Sequence, residues 1–236
     1  MADQEQAASA AGQSVAAALR DAARLGGYFE IASGDAPPGS WQPAQDGYRQ
    51  GLAGLVAETG RAIGAEEIRV AASTLHLGLA ARLWSAPLAC ALRRGVVPDL
   101  GALQLSAGLP LRLWLPPPAA GWRGRDDREL ASLLRRAVLA GQLVPLAAGL
   151  HGQPAAGLLR GNAAAAMIGS LIVLTGAEPQ LAVRARLLAD VLLAAPELAG
   201  AGRLTGQGLA FRRSSCCLYY RVPGGGLCAD CSLRTA

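Results

Sequence analysis

The chain has 236 residues, of which 52% are hydrophobic and 17% are charged, and its formal net charge is +5. This hydrophobic content is enough for a full core and excludes an intrinsically disordered protein. The modest positive charge does not by itself indicate nucleic-acid binding, and we expect no nucleic-acid partner. Aromatic residues make up only 4%. The core must therefore be built from alanine, leucine and valine, whose small side chains favour closely packed helices.

The N-terminal 20 residues begin with acidic and polar side chains, and they lack the basic segment and apolar core of a secretory signal. The uncharged stretch 161–177 is at the lower limit of length for a membrane span, and we expect it to be a buried core helix. We therefore expect a cytoplasmic protein with no transmembrane span. Peripheral contact with the inner face of the membrane stays open.

Apolar residues recur at helical spacing along most of the chain. Residues 33–43 are rich in glycine and proline and predict a loop, and Pro87 is expected to kink or end a long helix. Strands are predicted at Leu109–Leu115 and at 209–213. Asn162 is interpreted as a helix N-cap at the start of an apolar run. Helices are predicted over 13–25, 45–63, 65–94, 126–140, 142–150, 154–176 and 178–194.

These patterns predict an α+β fold that is predominantly α-helical, with a small β element and a C-terminal metal-binding module. We expect a helix-rich body over residues 1–204 and a cysteine-bearing segment over 205–236. The two parts are expected to form one integrated domain.

Four of the five cysteines lie within 16 residues near the C-terminus, in the pattern C-C-x10-C-x-x-C. Four thiols suit a four-coordinate metal site, and thiolates are soft ligands that bind both zinc and iron–sulfur clusters. A disulfide framework and a thioredoxin-type C-x-x-C motif are less consistent with a reducing compartment and with this sequence context. The spacing alone leaves zinc and iron–sulfur open. The four residues are Cys216, Cys217, Cys228 and Cys231.

The adjacent pair Cys216-Cys217 favours a dinuclear centre. Neighbouring side chains in an extended backbone point apart, so they reach two irons more easily than one ion. The glycines at 224–226 allow the return loop to pass close to a cluster and to direct N–H groups at its sulfurs.

The segment FRRSSCCLYYRVPGGGLCADCSL resembles the C-terminal signature of the FhuF-like siderophore-iron reductases. The hallmark of that family is C-C-x10-C-x-x-C, in which all four cysteines bind a 2Fe–2S cluster, and the spacing here is the same. The resemblance covers residues 205–234. Segments 80–100 and 158–171 are similar to the family less specifically, and Arg160 stands where the family has a tryptophan before Gly-Asn.

This resemblance implies a ferric-siderophore reductase, an iron–sulfur oxidoreductase that takes part in iron acquisition. Siderophores hold Fe(III) far more tightly than Fe(II), so the transfer of one electron releases the metal. The chain has no G-x-G-x-x-G motif and no P-loop, so we expect an external electron donor, a ferredoxin or a reductase. Two alternatives stay open: a non-redox helical binding protein with a structural four-cysteine zinc site, and an iron–sulfur sensor.

Polar and aromatic residues around the cysteines are candidates for tuning the cluster potential or for contacting the substrate. Arginines here could offset the negative charge of a thiolate-bound cluster or guide an acidic chelate, and the tyrosines could shield the cluster or stack on a chelate. The alternative is solvated arginines and plain packing. No catalytic residue is expected beyond the cluster ligands. The candidates are Arg212, Arg213, Tyr219, Tyr220 and Arg221.

The remaining thiol and the two histidines are expected to have structural roles. Cys90 lies on an apolar helical segment, as a small buried residue would. His76 and His151 are far apart in the sequence and belong to no metal-binding motif, which favours core or surface positions.

Overall fold

The structure is a computed structural model that describes residues 14–150 and 153–234. Helices dominate it, and a minor β component is present. The helices are α1 (14–23), α2 (Ala44–Gln50), α3 (Ala53–Ile63), α4 (Ile68–Arg94), α5 (Asp127–Leu134), α6 (Val144–Gly149), α7 (Ala156–Ala177) and α8 (Ala182–Leu193). A π-helical stretch, Arg135–Leu143, joins α5 to α6, so one helical run extends from Asp127 to Gly149.

The short strands form three small sheets. In the largest sheet the order is β1-β5-β4-β2, with β1 parallel to β5 and the other pairs antiparallel. Two antiparallel pairs, β3-β6 and β7-β8, stand apart from it. The strands are β1 (Ala32–Ser33), β2 (Trp41–Pro43), β3 (Val96–Pro98), β4 (Gln104–Ser106), β5 (Leu113–Leu115), β6 (Gly121–Arg123), β7 (Gly202–Leu204) and β8 (Phe211–Arg213).

The core is centred on α4, which packs against α3 and α7. Residues 83–92 of α4 are buried on every face of the helix, and Trp84 and Leu88 are fully buried. Alanines are frequent at this interface, so the helices approach closely, as the low aromatic content predicted. The predicted α+β class, with helix predominant, is confirmed.

Several predicted boundaries were wrong. The predicted helix 45–63 is broken at Gly51, whose φ of +85° separates α2 from α3. Pro87 lies inside α4 and does not end it, because this part of the helix is held by burial on all sides, whereas a kink at Pro87 stays a prediction. Gly141 does not end a helix either, since the π-helical stretch runs through it. The predicted strand Leu109–Leu115 is shorter, Leu113–Leu115.

Three helical runs are long and apolar enough to cross a membrane, judged by length and hydropathy: Ile68–Arg94, Asp127–Gly149 and Ala156–Ala177. Within the fold, 78%, 50% and 67% of their most apolar windows are buried, respectively. Many of their apolar residues therefore pack against other helices in the core. The expectation of no transmembrane span stays a prediction.

Candidate metal centre

The cysteine-bearing segment leaves the body through the β7-β8 hairpin. A Cβ atom added to Gly202 would lie 2.5 Å from the carbonyl oxygen of Arg212, so a glycine is needed for this close pairing. The Ser214 N–H donates to the Ala201 carbonyl at 2.9 Å, which extends the pairing beyond β8. The hairpin thereby delivers Cys216 and Cys217 to the surface of α4 and α7. The predicted boundary between the helix-rich body and the cysteine-bearing segment, after residue 204, falls inside this hairpin. The division into these two parts stays a prediction.

Two of the four thiols are in direct contact. The Sγ atoms of Cys217 and Cys228 lie 3.7 Å apart. Cys217 and Cys231 are buried, whereas Cys216 and Cys228 are half-buried. The cluster motif therefore has a buried side and a side near solvent.

Backbone N–H groups point at the other two sulfurs. The Leu218 N–H donates to Cys216 Sγ at 3.3 Å, and the Leu233 N–H donates to Cys231 Sγ at 3.4 Å. Such bonds stabilise negative charge on a ligating thiolate. Leu218 has a φ of +67°, an uncommon value for a leucine, and this backbone turn directs its N–H back at Cys216.

The loop between the cysteine pairs depends on one glycine in particular. A Cβ atom on Gly225 would lie 2.3 Å from the Tyr219 carbonyl oxygen and 2.8 Å from that of Val222. No side chain fits there without moving the backbone. The chain turns through a 3-10 helix at Tyr219–Arg221 and returns past Gly224, whose φ is +72°.

Arg213 is the one predicted candidate that lies inside the protein, with only 2% of its surface exposed. Its guanidinium donates to the Asn162 side-chain oxygen, and its Nη1 lies 4.0 Å from Asp230 Oδ2. Among the described residues, its Nε has no hydrogen-bond partner. A buried cation beside four thiols would offset the negative charge that they carry when they bind metal.

A chain of hydrogen bonds continues from Arg213 to the cysteines. The Asn162 amide donates to the carbonyl and hydroxyl oxygens of Ser73 at 3.0 and 3.1 Å, and the Ser73 hydroxyl donates to the Cys217 carbonyl at 2.6 Å. Ser73 lies on α4 and Asn162 on α7. The two core helices thus fix the backbone of a candidate ligand.

Sequence reasoning missed Ser73 and gave Asn162 a wrong role. Asn162 is not a helix N-cap, because α7 begins at Ala156 and Asn162 is fully buried within it. The sequence did contain a signal for this role, because Asn162 is a lone amide inside an apolar helix and a buried amide needs a hydrogen-bond partner. Gly161 beside it permits the approach, because a Cβ atom there would lie 2.4 Å from the Ser215 hydroxyl oxygen.

The other candidates surround the site without entering it. Arg221 pairs with Glu67 at 2.6 Å, and hydrogen bonds from Arg69 and Arg221 lower the pKa of Glu67. Arg212 is half-buried and donates to the Arg234 carbonyl. Tyr219 and Tyr220 are each 41% exposed, so both rings are accessible to a large ligand.

The thiol pKa values are raised in this environment. Burial, and then the nearby Asp230 carboxylate, raise the pKa of Cys228. Burial also raises the pKa of Cys216, the nearby Cys217 and Cys231 thiols add to the rise, and the Leu218 N–H and Arg213 oppose it. In the absence of metal, both side chains are thiols at neutral pH. Metal binding must displace their protons, so it is favoured by higher pH.

A surface groove of about 570 Å³ borders Cys228. Its walls include apolar residues of α4 and α7, among them the half-exposed Ile172, and four polar residues also line it. These polar residues are Thr205, Arg212, Arg213 and Asp230. The groove gives a ligand direct access to one of the candidate metal-binding thiols.

The residues present fit a dinuclear cluster. Two thiolates on one tetrahedral ion, with metal–sulfur bonds of about 2.3 Å, lie roughly 3.7–3.8 Å apart, and Cys217 and Cys228 have this separation. Over residues 14–150 and 153–234, no three histidine, cysteine or acidic side chains come together around one metal position. The separation of Cys217 and Cys228 fits two thiolate ligands on one metal ion, as each iron of a dinuclear cluster requires.

His76 and Cys90 are not part of the site. Both are buried in α4, as expected for core residues, whereas His151 lies outside the described residues. Burial, reinforced by the charge of Arg213, lowers the pKa of His76 to about 4. His76 borders a separate apolar cavity of about 360 Å³.

Residues 213–233 match the family described as the FhuF 2Fe-2S C-terminal domain. The match includes all four clustered cysteines and agrees with the resemblance seen in the sequence. The C-terminal segment is thus a 2Fe–2S domain of the FhuF type, and the cofactor is a 2Fe–2S cluster. No curated protein and no solved structure matches the chain.

Proposed function

We propose that this protein is a ferric-siderophore reductase, in which Cys216, Cys217, Cys228 and Cys231 hold the 2Fe–2S cluster. The observation that carries the proposal is the match of residues 213–233 to a FhuF-type 2Fe–2S domain. When bound, the cluster supplies one electron at a time. That electron would reduce Fe(III) in the chelate to Fe(II), and Fe(II) would then dissociate from a chelator that stays intact.

The groove beside Cys228 is the proposed docking site for the ferric siderophore. Its apolar walls would contact the body of the chelate, and Arg212 would attract its acidic groups. Tyr219 and Tyr220 are exposed near the motif and are available to stack on a planar chelating group. A bulky chelate need only bring its iron near Cys228, because an electron does not require direct contact between the metals.

The protein residues have three tasks in this account. The N–H groups of Leu218 and Leu233 and the buried charge of Arg213 stabilise the electron-rich cluster and raise its potential. The Ser73–Asn162 pair fixes the Cys217 backbone. Arg221, paired with Glu67, anchors the loop to the start of α4.

The electron donor is proposed to be an external ferredoxin or reductase. We propose a cytoplasmic location, at which the reduced iron is released directly into the cell. Contact with the inner face of the membrane is compatible with this location.

The test is a single-turnover assay under anaerobic conditions. Dithionite-reduced protein, freed of excess reductant, is mixed with a ferric hydroxamate or a ferric catecholate, and Fe(II) is trapped with a ferrous-specific dye. One Fe(II) per cluster is expected. C217S should lose the cluster and the activity, whereas C90A, which removes the thiol outside the motif, should keep both. A full cluster in C217S, or a reduced cluster that releases no Fe(II) from either chelate, contradicts the proposal.

A further inference from the structure

We propose that Cys217 and Cys228 bind one iron of the cluster, that Cys216 and Cys231 bind the other, and that the added electron resides on the Cys216–Cys231 iron. This assignment rests on the four-cysteine ligand set proposed above. It goes further, because it states which pairs form and which iron becomes ferrous.

The distance between two of the sulfurs identifies the first pair. Two thiolates on one tetrahedral iron are held roughly 3.7–3.8 Å apart, when the iron–sulfur bond is taken as about 2.3 Å. Thiolates on different irons of a 2Fe–2S cluster are much further apart, because two bridging sulfides separate the metals. The 3.7 Å between Cys217 Sγ and Cys228 Sγ therefore identifies ligands of the same iron.

The order of the cysteines along the chain leaves the second pair. Cys216 and Cys217 are adjacent, and Cys217 already pairs with Cys228 across the loop. Cys231 lies at the end of a turn in which its N–H donates to the Cys228 carbonyl at 3.2 Å. Cys216 and Cys231 therefore remain as the second pair.

Hydrogen bonds to sulfur distinguish the two pairs. The N–H groups of Leu218 and Leu233 donate to Cys216 and Cys231, one to each member of the second pair. Over residues 14–150 and 153–234, Cys217 and Cys228 receive no such bond. Donors favour additional negative charge, so the extra electron is favoured on the Cys216–Cys231 iron.

The experiment is proton NMR of the reduced, cluster-loaded protein, with the cysteine β-CH2 groups identified by selective isotope labelling and sequential correlation. In a valence-localised cluster, cysteines on the ferric iron have large downfield shifts that decrease on warming. Cysteines on the ferrous iron have small shifts that increase on warming. We expect Cys217 and Cys228 in the first group and Cys216 and Cys231 in the second.

Three outcomes would overturn the assignment. Cys217 grouping with Cys216 or with Cys231 contradicts the pairing, and the reverse order of the two groups contradicts the location of the electron. Identical temperature dependence for all four contradicts localisation. A motif cysteine with no hyperfine shift overturns the ligand set itself, which separates failure of the proposed cluster site from failure of the pairing. Cys90 supplies the internal control, since its β-CH2 protons should show no hyperfine shift.

Discussion

The guanidinium of Arg213 donates a hydrogen bond to the side-chain oxygen of Asn162, which lies 51 residues earlier, in the middle of α7. Both residues are buried. This contact joins the segment just before the cysteine motif to α7, and it places a full positive charge beside the proposed cluster.

Replacement of Arg213 is expected to lower the midpoint potential of the cluster. In R213Q the loss of a buried charge should cost on the order of 1–2 kcal/mol of stabilisation in the reduced state, or about 40–90 mV for a one-electron couple. R213K keeps the charge and should retain most of the potential. The check is a spectroelectrochemical titration of both variants, with R212Q as the control near the surface. An R213Q potential equal to that of the parent protein would exclude this role.

The Ser73 hydroxyl is expected to contribute to stability and to cluster retention. S73A leaves the Cys217 carbonyl without its donor and removes one of the two acceptors of the Asn162 amide, which should cost about 1–3 kcal/mol. T74V is the matched control, because within the described part of the chain the Thr74 hydroxyl bonds only to the carbonyl of Val70 in its own helix. Chemical denaturation and the rate of cluster loss to a chelator provide the measurements. Equal effects of the two substitutions would show that the contact with Cys217 is unimportant.

A side chain at position 225 should disrupt the loop, whereas a methyl group at position 226 should be tolerated. In G225A the new Cβ atom meets two backbone carbonyl oxygens, so the loop must move and the cysteine pairs should separate. In G226A the new methyl group meets no atom within 4 Å. We expect low iron and sulfide content in G225A and parent-like content in G226A, measured after anaerobic reconstitution. A fully loaded G225A would contradict the close packing of this loop.

The buried His76 should lower the free energy of unfolding as the pH falls, because its protonation is disfavoured in the folded protein. Its pKa is about 4 in the fold and near 6.5 when exposed, so the unfolded chain binds the proton first. The stabilisation from the neutral imidazole is complete above pH 6.5 and is lost as the pH falls towards 4. Between pH 7.5 and 5.5 the loss should be about 1 kcal/mol. H76L should lack this component of the pH dependence, which thermal unfolding of the two proteins at both pH values would measure.

The cysteine motif was predictable from sequence because its spacing is short and local. Four thiols and a glycine run within 16 residues specify a cluster-binding loop without knowledge of the rest of the fold. The dominance of helix followed similarly from the apolar periodicity and from the shortage of aromatic residues.

The contacts that hold the motif against the core helices were not predictable, because they join residues that are distant in sequence. Asn162 faces Arg213 and Ser73 only once α4 and α7 have packed together. Pro87 and Gly141 are helix breakers by local preference, yet burial of the surrounding helix outweighs that preference. Gly51 ends a helix through its positive φ, which the apolar periodicity does not reveal.

The proposed function requires that a cysteine-bound 2Fe–2S cluster passes electrons to a ferric siderophore. It is tested most directly by visible and EPR spectra of anaerobically purified protein, before and after dithionite and then after addition of the ferric chelate. We predict visible bands, a reduced-state signal near g of about 2, and loss of that signal when the chelate is added. A colourless protein with stoichiometric zinc would contradict the account, and so would a reduced signal that persists in the presence of the chelate.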